Sequence, residues 1–415
     1  MFSKTLQNYL RFWARQYLKR VKPQIITVTG SAGKTSTKEA IFEVLKIGFG
    51  QSVRKSEGNL NTIYGVPLAI LGYKKPPVSL DRSFSLWPWI PVIFTVPFKI
   101  FANSKTKYLV LEIAADKPGD IEFTTSYVRS DIAVLTNIGP AHLEIFGTIE
   151  KISQEKIGLI KALKNGGWAI INNDDENLAN IEENNFKIKT FALNSQAQIT
   201  AKNIVTDIEN FQGLTNFQVI SEQNKFLATS FTLGRVTNIY SALAAIAVGE
   251  ILGLGKDKII SGIKNIKPEK HRMEIFSGKN GSTIIDDTYN ANPLSMKAAF
   301  DTLKILSNPP AGGKKIAVLG DMLELGEISP EAHKLIGAYA KEVADEVVAI
   351  GEQAKLFEAQ KYFPDKKEGI NYLLSKVSQN DIILIKASRG MGFEEIVEAL
   401  KLENGNHTII SSQSG

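Results

Sequence analysis

The sequence predicts an α/β protein of two mostly parallel-sheet domains, and three observations carry that reading. β-branched runs that read as buried strands alternate with helical patterns along most of the chain. The run Ile25-Ile26-Thr27-Val28-Thr29 leads into the glycine turn Gly30-Ser31-Ala32-Gly33. Lys34-Thr35-Ser36 and a helical pattern to Leu45 follow. Near Pro268 the alternation restarts as a second, Rossmann-like series.

The bulk numbers bound the rest. At 415 residues the chain has room for two or three domains, taking about 150 residues per domain. Apolar residues make up 43% of it, enough for real cores. The net charge of +6, from 49 basic and 43 acidic residues, is mild and suits anionic small molecules. No concentrated basic tract argues for nucleic acid. With no cysteine there are no disulfides, thiolate metal sites or cysteine nucleophiles. No run reaches the ~18 consecutive apolar residues of a spanning helix.

Residues 1–22 place Phe2, Leu6, Tyr9, Leu10, Trp13 and Leu18 at roughly helical spacing among Lys4, Arg11, Arg15, Lys19, Arg20 and Lys22. They lack the apolar core and cleavage site of a secretory signal. Two readings stand: a helix packed on the next domain, or a helix lying on an anionic membrane surface.

Gly30 and Gly33 let backbone N–H groups close on phosphate oxygens, and the helix that starts at Lys34 adds its dipole. Lys34 supplies a point charge for the β- and γ-phosphates and Thr35 a hydroxyl for Mg²⁺. Val28 stands where the first glycine of the full Walker pattern would be, so an ordinary strand-to-helix turn is the alternative. This part therefore reads as a central P-loop ATPase domain.

Ser56 to Thr62 reads as a loop before the apolar run Ile63 to Leu68. Trp87 to Phe98 is aromatic and apolar with three prolines, which argue against a regular spanning helix. An irregular buried arm, an interfacial loop or a partner surface would each fit. Tyr108–Ile113 reads as a strand carrying Glu112 near its end, and Ile132–Ile138 as another, followed by Gly139-Pro140-Ala141-His142. A helix over 149–163 carries Lys156, and Trp168–Asn172 is a further strand. Residues 186–232 read as shorter strands, and Asn238–Leu252 as a helix.

Beyond Pro268, strands at 284–287, 315–321, 346–351 and 381–386 alternate with helices, one to Leu306 and one from Pro330. The tail from Asn404 is polar and expected to be loose. The expected domains are a basic amphipathic helix over 1–22, a central ATP-binding domain over 23–267 with an insertion at 75–105, and a C-terminal domain over 268–415.

Glu112, His142, Lys156 and Asp287 are the chemistry-bearing candidates. A carboxylate at a strand end of an open α/β sheet sits where ligands bind and can hold a hard cation. Taken singly, Glu112 reads equally as a cap, His142 as a structural residue and Lys156 as a solvated one.

Their joint pattern resembles the Mur ligase family, the ATP-dependent amide ligases of cell-wall precursor synthesis, from about Lys22 to about Leu400. Thr29 to Ser36 looks like the family's shortened phosphate loop. Asn137-Ile138-Gly139-Pro140-Ala141-His142-Leu143-Glu144 with Phe146-Gly147 looks like its central metal motif. Glu155-Lys156 stands where the family carries a lysine carbamylated by CO₂, and Gly234-Arg235 with Asn238 resembles the adenine-side motif. Within the family the resemblance is to the branch that adds D-alanyl-D-alanine to a UDP-linked muramoyl tripeptide. It is carried by Asp287 to Ser295, by Leu319 to Gly326 with His333, and by Lys386 to Met391.

What the resemblance implies is phosphoryl transfer to a peptide carboxylate, then displacement of phosphate from the acyl phosphate by an amine. It implies Lys34, His142 and Lys156 as catalytic. It sets Gly30, Ser31, Ala32, Gly33, Lys34, Thr35, Ser36, Asn238, Arg272 and Asp287 at ATP, with Asp287 on the ribose. Two Mg²⁺ ions would be held by Thr35, Glu112, His142 and carbamylated Lys156. Asn61, Asn290, Asn292, Asp321, Glu324, Ser388 and Arg389 would meet the UDP-muramoyl peptide and D-Ala-D-Ala. Closure of the C-terminal domain would keep water from the acyl phosphate. A cytoplasmic monomer is expected, with peripheral contact at the inner membrane face as the sharper reading of the first helix.

Three departures stand out. About 22 residues precede the ATPase part, where the family normally opens with a uridine-binding domain. The 75–105 insertion is longer than usual. Ser241 and Thr62 replace asparagines. A lipid-linked acceptor, or a non-catalytic ATP-binding scaffold, is the alternative function.

Overall fold

The computed structural model describes residues 2–402 except 59, 78–86, 102–104, 210, 235, 308 and 310–311. Arg235, the tail from Asn404 and part of the 75–105 insertion lie outside the described residues. The chain divides into two compact units. One comprises Met1–Val205, Thr215–Phe231 and Arg235–Lys267, the other Thr206–Leu214, Thr232–Gly234 and Pro268–Gly415.

One nine-stranded sheet belongs mainly to the first unit. Its strands are β1 (Gln24–Thr29), β2 (Val53–Lys55), β3 (Tyr108–Glu112), β4 (Ile132–Leu135), β5 (Trp168–Asn172), β6 (Lys187–Ala192), β7 (Ile199–Glu209), β8 (Gln212–Ser221) and β9 (Lys225–Ser230). They lie in the order β2-β3-β1-β4-β5-β6-β7-β8-β9. Pairing is parallel from β2 to β7, and β8 and β9 are antiparallel. The helices are α1 (Phe2–Val21), α2 (Lys34–Phe49), α3 (Gly65–Ile70), α4 (Ile90–Lys99), α5 (Asp120–Thr125), α6 (Leu143–Phe146), α7 (Ile149–Lys161), α8 (Val236–Ile251) and α9 (Lys256–Lys264).

The central strands read as unbroken apolar runs because both faces are covered. Leu109 and Leu111 of β3 join the core that holds α1, while Val110 between them joins the core under α2 and α8. The expectation of shorter strands over 186–232 is corrected. β7 and β8 run 11 and 10 residues, longer than any of β1–β6. Burial alternates along β8, so Gln212, Asn216 and Gln218 face outward within one strand rather than breaking it.

α1 packs on the first unit through Leu6, Leu10, Ala14 and Tyr17, all buried. The proline-rich arm is less irregular than its prolines imply: residues 90–99 form the helix α4. Pro91 lies in the first turn, where no helical N–H is required. Pro97 lies inside the helix and has no N–H for the Ile93 carbonyl one turn back. That carbonyl instead accepts the Tyr9 hydroxyl of α1 at 2.7 Å. Tyr9→Phe is expected to leave it unpaired and lower stability by about 1–2 kcal/mol, measured by urea unfolding.

The second unit carries a six-stranded sheet of β10 (Glu274–Ser277), β11 (Thr283–Asp287), β12 (Lys315–Gly320), β13 (Glu346–Ile350), β14 (Lys361–Phe363) and β15 (Ile382–Lys386), in the order β10-β11-β15-β12-β13-β14. Only the β10–β11 pair is antiparallel. Its helices are α10 (Pro293–Ile305), α11 (Ser329–Val343), α12 (Lys366–Lys376) and α13 (Glu394–Leu400). Cores lie on both faces, one around Phe300 and Phe357, the other around Phe393.

Candidate active site

In the first unit the adjacent strands β3, β1 and β4 bring three segments together at their C-terminal ends: Glu112, the glycine turn and residues 136–142. Open α/β sheets bind ligands at such ends. The turn is stitched to the β4 end. Ser31 N–H donates to the Asn137 carbonyl at 2.9 Å, Ala32 N–H to Asn137 Oδ1 at 2.8 Å, and Thr136 Oγ1 to the Ala32 carbonyl at 2.6 Å. Ser31 Oγ donates to the Gly139 carbonyl and accepts from the Gly139 N–H, both at 2.9 Å. Gly30 is obligatory: its φ is +152°, and a Cβ would stand 1.9 Å from Thr136 Oγ1. Gly33 in the left-handed region starts α2, so the helix N-terminus opens on the turn with Thr35 and Ser36 half-buried behind it. Lys34 Nζ donates to the Gly30 carbonyl at 2.8 Å and so spans the loop.

Glu112 is buried at the end of β3. Its Oε1 accepts from Asn61 Nδ2 at 2.8 Å. Its Oε2 has no hydrogen-bond partner among the described residues, the buried Lys38 ammonium standing 3.8 Å away. A buried carboxylate oxygen without a donor fits a hard cation. Lys38 itself pairs with Glu39 at 3.2 Å.

His142 sits at φ +56° in front of α6 and is half-buried. Lys156, on α7, is buried rather than solvated. Burial first, and the positive charge of Lys34 second, pull its pKa down to about 7. Near neutral pH much of this amine is therefore uncharged. Its neighbour Glu155 is fully engaged elsewhere, accepting from the Gly119 N–H at 2.9 Å and the Ile121 N–H at 2.7 Å at the start of α5.

Asn238 lies half-buried in the first turn of α8. That turn is anchored by Asp174, which the sequence reading left without a role. Asp174 accepts the Tyr240 hydroxyl at 2.6 Å and the backbone N–H groups of Leu193, Asn194 and Ser195. Burial would raise its pKa, but these donors hold it below the usual carboxylate value. The Asn-Asp-Asp run after β5 was the available signal. The two departures from the family pattern have local uses. Ser241 Oγ shares a hydrogen bond with Thr37 of α2 at 3.0 Å. Thr62 Oγ1 accepts from the Gly65 N–H at 3.3 Å in front of α3.

In the second unit the adjacent strands β11, β15 and β12 present the loops 288–292, 388–391 and 321–325 at their C-terminal ends. Lys386 is buried and donates to Asp287 Oδ2 at 2.5 Å and to the Asn290 carbonyl at 2.9 Å. Burial nonetheless raises the Asp287 pKa, against the pull of Lys386 and then Arg272. The guanidinium of Arg272 lies 4.0 Å from the Tyr289 ring centre and that of Arg389 5.5 Å. His271, missed by sequence reasoning, orders this edge: its Nδ1 bonds Asp286 Oδ2 at 2.7 Å and its carbonyl accepts the Tyr289 N–H.

Several expected substrate residues are engaged internally. Asn292 forms a capping box with Ser295 at the start of α10. Asp321 Oδ1 accepts the Ala354 N–H at 2.7 Å. Ser388 Oγ accepts from the Leu323 N–H at 2.9 Å and donates to the Ala291 carbonyl at 3.2 Å, tying the three loops together. Asn290, Glu324 and Arg389 are exposed on those loops. His333 is fully buried. Its Nε2 accepts the Met322 N–H at 3.0 Å and its Nδ1 donates to the Ser329 carbonyl at 2.7 Å, so it is a spacer beneath the 321–325 loop.

Comparison with known proteins places this geometry. The Mur ligase middle domain family model matches residues 93–249, and the Mur ligase, glutamate ligase domain model matches residues 271–389. The chain is 32% identical over 398 residues to the UDP-N-acetylmuramoyl-tripeptide–D-alanyl-D-alanine ligase of Bacillus subtilis, covering 93% of this chain and 78% of that one. It is 31% identical to the enzyme of the same name from Haemophilus influenzae, over 94% of this chain and 78% of that one. Among solved structures, MurF ligase of Thermotoga maritima in complex with ADP superposes with a TM-score of 0.78 at 29% identity, covering 95% of this chain and 83% of that one. MurF from Acinetobacter baumannii gives 0.77 at 26% identity, with 94% and 79% covered.

Proposed function

The chain belongs to the Mur ligase family, and from that premise we propose that it is the ATP-dependent ligase that joins D-alanyl-D-alanine to a UDP-muramoyl tripeptide in peptidoglycan precursor synthesis. The observation that supports this most is the phosphate loop with Lys34 at the end of β1, and, at the end of the adjacent β3, Glu112, whose buried Oε2 has no donor among the described residues.

In this reading the N–H groups of the glycine turn and the α2 N-terminus bind the ATP phosphates, and Lys34 neutralises charge between them. The tripeptide carboxylate attacks the γ-phosphorus, the bond to ADP breaks, and an acyl phosphate forms. The amine of D-Ala-D-Ala then attacks the acyl carbon. The C–N bond forms, phosphate leaves, and the amine gives up a proton. The weakly basic Lys156 amine adds CO₂, losing a proton and becoming a carbamate anion. Thr35, Glu112, His142 and the Lys156 carbamate are the residues that would hold two Mg²⁺ ions, whose chemistry is to screen phosphate charge. Asn238, Arg272 and Asp287 are assigned to the nucleotide. Asn61, Asn290, Asn292, Asp321, Glu324, Ser388 and Arg389 are assigned to the peptide substrates, with Asn292, Asp321 and Ser388 shaping the loops. The setting is cytoplasmic, as a monomer, with peripheral contact at the inner membrane face.

The test is phosphate release from ATP with UDP-muramoyl tripeptide, with and without D-Ala-D-Ala. Sustained release is expected only when both are present, with one UDP-muramoyl pentapeptide formed per phosphate. Release with a lipid-linked acceptor and none with the UDP-linked one would transfer the activity to that acceptor. Release independent of any acceptor would overturn the ligase reading.

A further inference from the structure

α4 is apolar apart from Thr95 and Lys99, yet only one side enters the core. Trp89, Val92 and Val96 enter the core with α1. On the opposite side Trp87, Ile90, Phe94, Phe98 and Phe101 follow one another at the three-to-four-residue spacing of a single helical stripe. Trp87, Phe94, Phe98 and Phe101 are 81%, 71%, 75% and 65% exposed. Four aromatics at that exposure present on the order of 500 Å² of apolar surface, near the upper limit for a monomer with no partner there.

The surroundings of this stripe are basic. The outward face of α1 carries Lys4, Arg15, Lys19 and Arg20, all exposed, and no Asp or Glu precedes Glu39. Residues 87–101 hold no acid either. The two faces meet where the Arg20 guanidinium lies 4.9 Å from the Phe101 ring centre and donates to the Ile100 carbonyl. Beyond the stripe, Lys99 lies 5.1 Å from the Tyr73 ring centre.

We infer that the outer stripe of α4 is an interfacial wedge that seats the enzyme on an anionic lipid bilayer, with the α1 cations on the headgroups. The inference rests on the peripheral contact in the proposed function. It names the element and the lipid class: α4 inserts, and α1, whose apolar face is already packed, supplies charge. Aromatic rings flanked by lysine and arginine match the boundary between headgroups and acyl chains. A ten-residue helix spans about 15 Å, half of a bilayer core of ~30 Å, so α4 lies in the interface and does not cross it. No helix among the described residues is long and apolar enough to cross a membrane. A second copy of the chain is a poorer occupant, because a two-fold contact would set the same cationic rim against itself.

The experiment uses the full chain with vesicles of phosphatidylcholine alone or mixed with phosphatidylglycerol, by co-sedimentation. Wild type is expected to bind the phosphatidylglycerol vesicles and to lose most of that binding in 1 M salt. Trp87→Ser/Phe94→Ser/Phe98→Ser is expected to bind roughly tenfold or more weakly, with an unchanged melting temperature and unchanged ADP release in vesicle-free buffer. Arg15→Glu/Lys19→Glu, which changes two exposed side chains of α1, is expected to lose the preference for anionic lipid. Trp89→Ser, a core change, is expected to lower the melting temperature instead. Failure of wild type to bind anionic vesicles, or undiminished binding by both surface variants, overturns the wedge. So does a wild-type dimer in sedimentation velocity that the triple variant dissolves. Absence of acceptor-dependent ADP release from wild type strikes the ligase reading alone and leaves the vesicle result standing.

Discussion

Lys34→Ala is expected to reduce acceptor-dependent ATP turnover by roughly 10³-fold or more, the scale of losing a charge-stabilising group in a water-excluded site. The Lys34 ammonium donates along its own loop to the Gly30 carbonyl. The loop is held instead by Ser31, Ala32 and Thr136 through bonds that the substitution leaves intact. The stability cost should stay near 1 kcal/mol. Phosphate release and a thermal melt on the same preparation check both halves. A folded variant that turns over ATP near the wild-type rate would remove the phosphate loop from the mechanism.

Lys156→Ala is expected to cost about 10²-fold or more in turnover, and to regain part of it with formate or acetate, which supply the missing carboxylate. Stability should hold or rise, since burial of this amine is unfavourable enough to pull its pKa down to about 7. Lys156→Arg should be inactive and unrescued: a guanidinium stays charged and does not add CO₂. Without the carbamate, the variant sets a second fixed cation near Lys34. An active arginine variant, or an alanine variant with full activity, would return Lys156 to a structural role.

The parts legible in the sequence were those set by short-range pattern. Both sheets follow from apolar runs between helical segments, and the phosphate loop from a glycine turn that ends a strand. That Glu112 would meet the loop followed from the rule that strand ends converge. Harder to read was whatever depended on a distant partner. Three prolines disguised α4 because the carbonyl left free by Pro97 is satisfied by Tyr9, 84 positions away. Glu155, quoted only as the neighbour of Lys156, caps the start of α5. His333, part of the motif that carries the branch resemblance, is a fully buried spacer. The side chain of Asn292, assigned to the peptide substrates, also closes a capping box at the start of α10. Each of these bonds depends on a neighbour that only the folded chain brings within reach.

The strand order has a consequence for how the chain is made. β1 lies between β3 and β4, with Gln24 beside Tyr108 and Ile26 beside Ile132. Neither neighbour exists when β1 leaves the ribosome. At about 5–20 residues per second, β1 waits on the order of 4–16 s for β3 and longer for β4. During that interval Ile25, Ile26 and Val28 have no sheet to join, and parallel pairing over such separations is slow even once the partners arrive. The nascent chain is therefore most vulnerable to aggregation before residue 135 has emerged. A holding chaperone, or slow translation just after β4, should raise the yield of native enzyme more than any stabilisation of the finished fold.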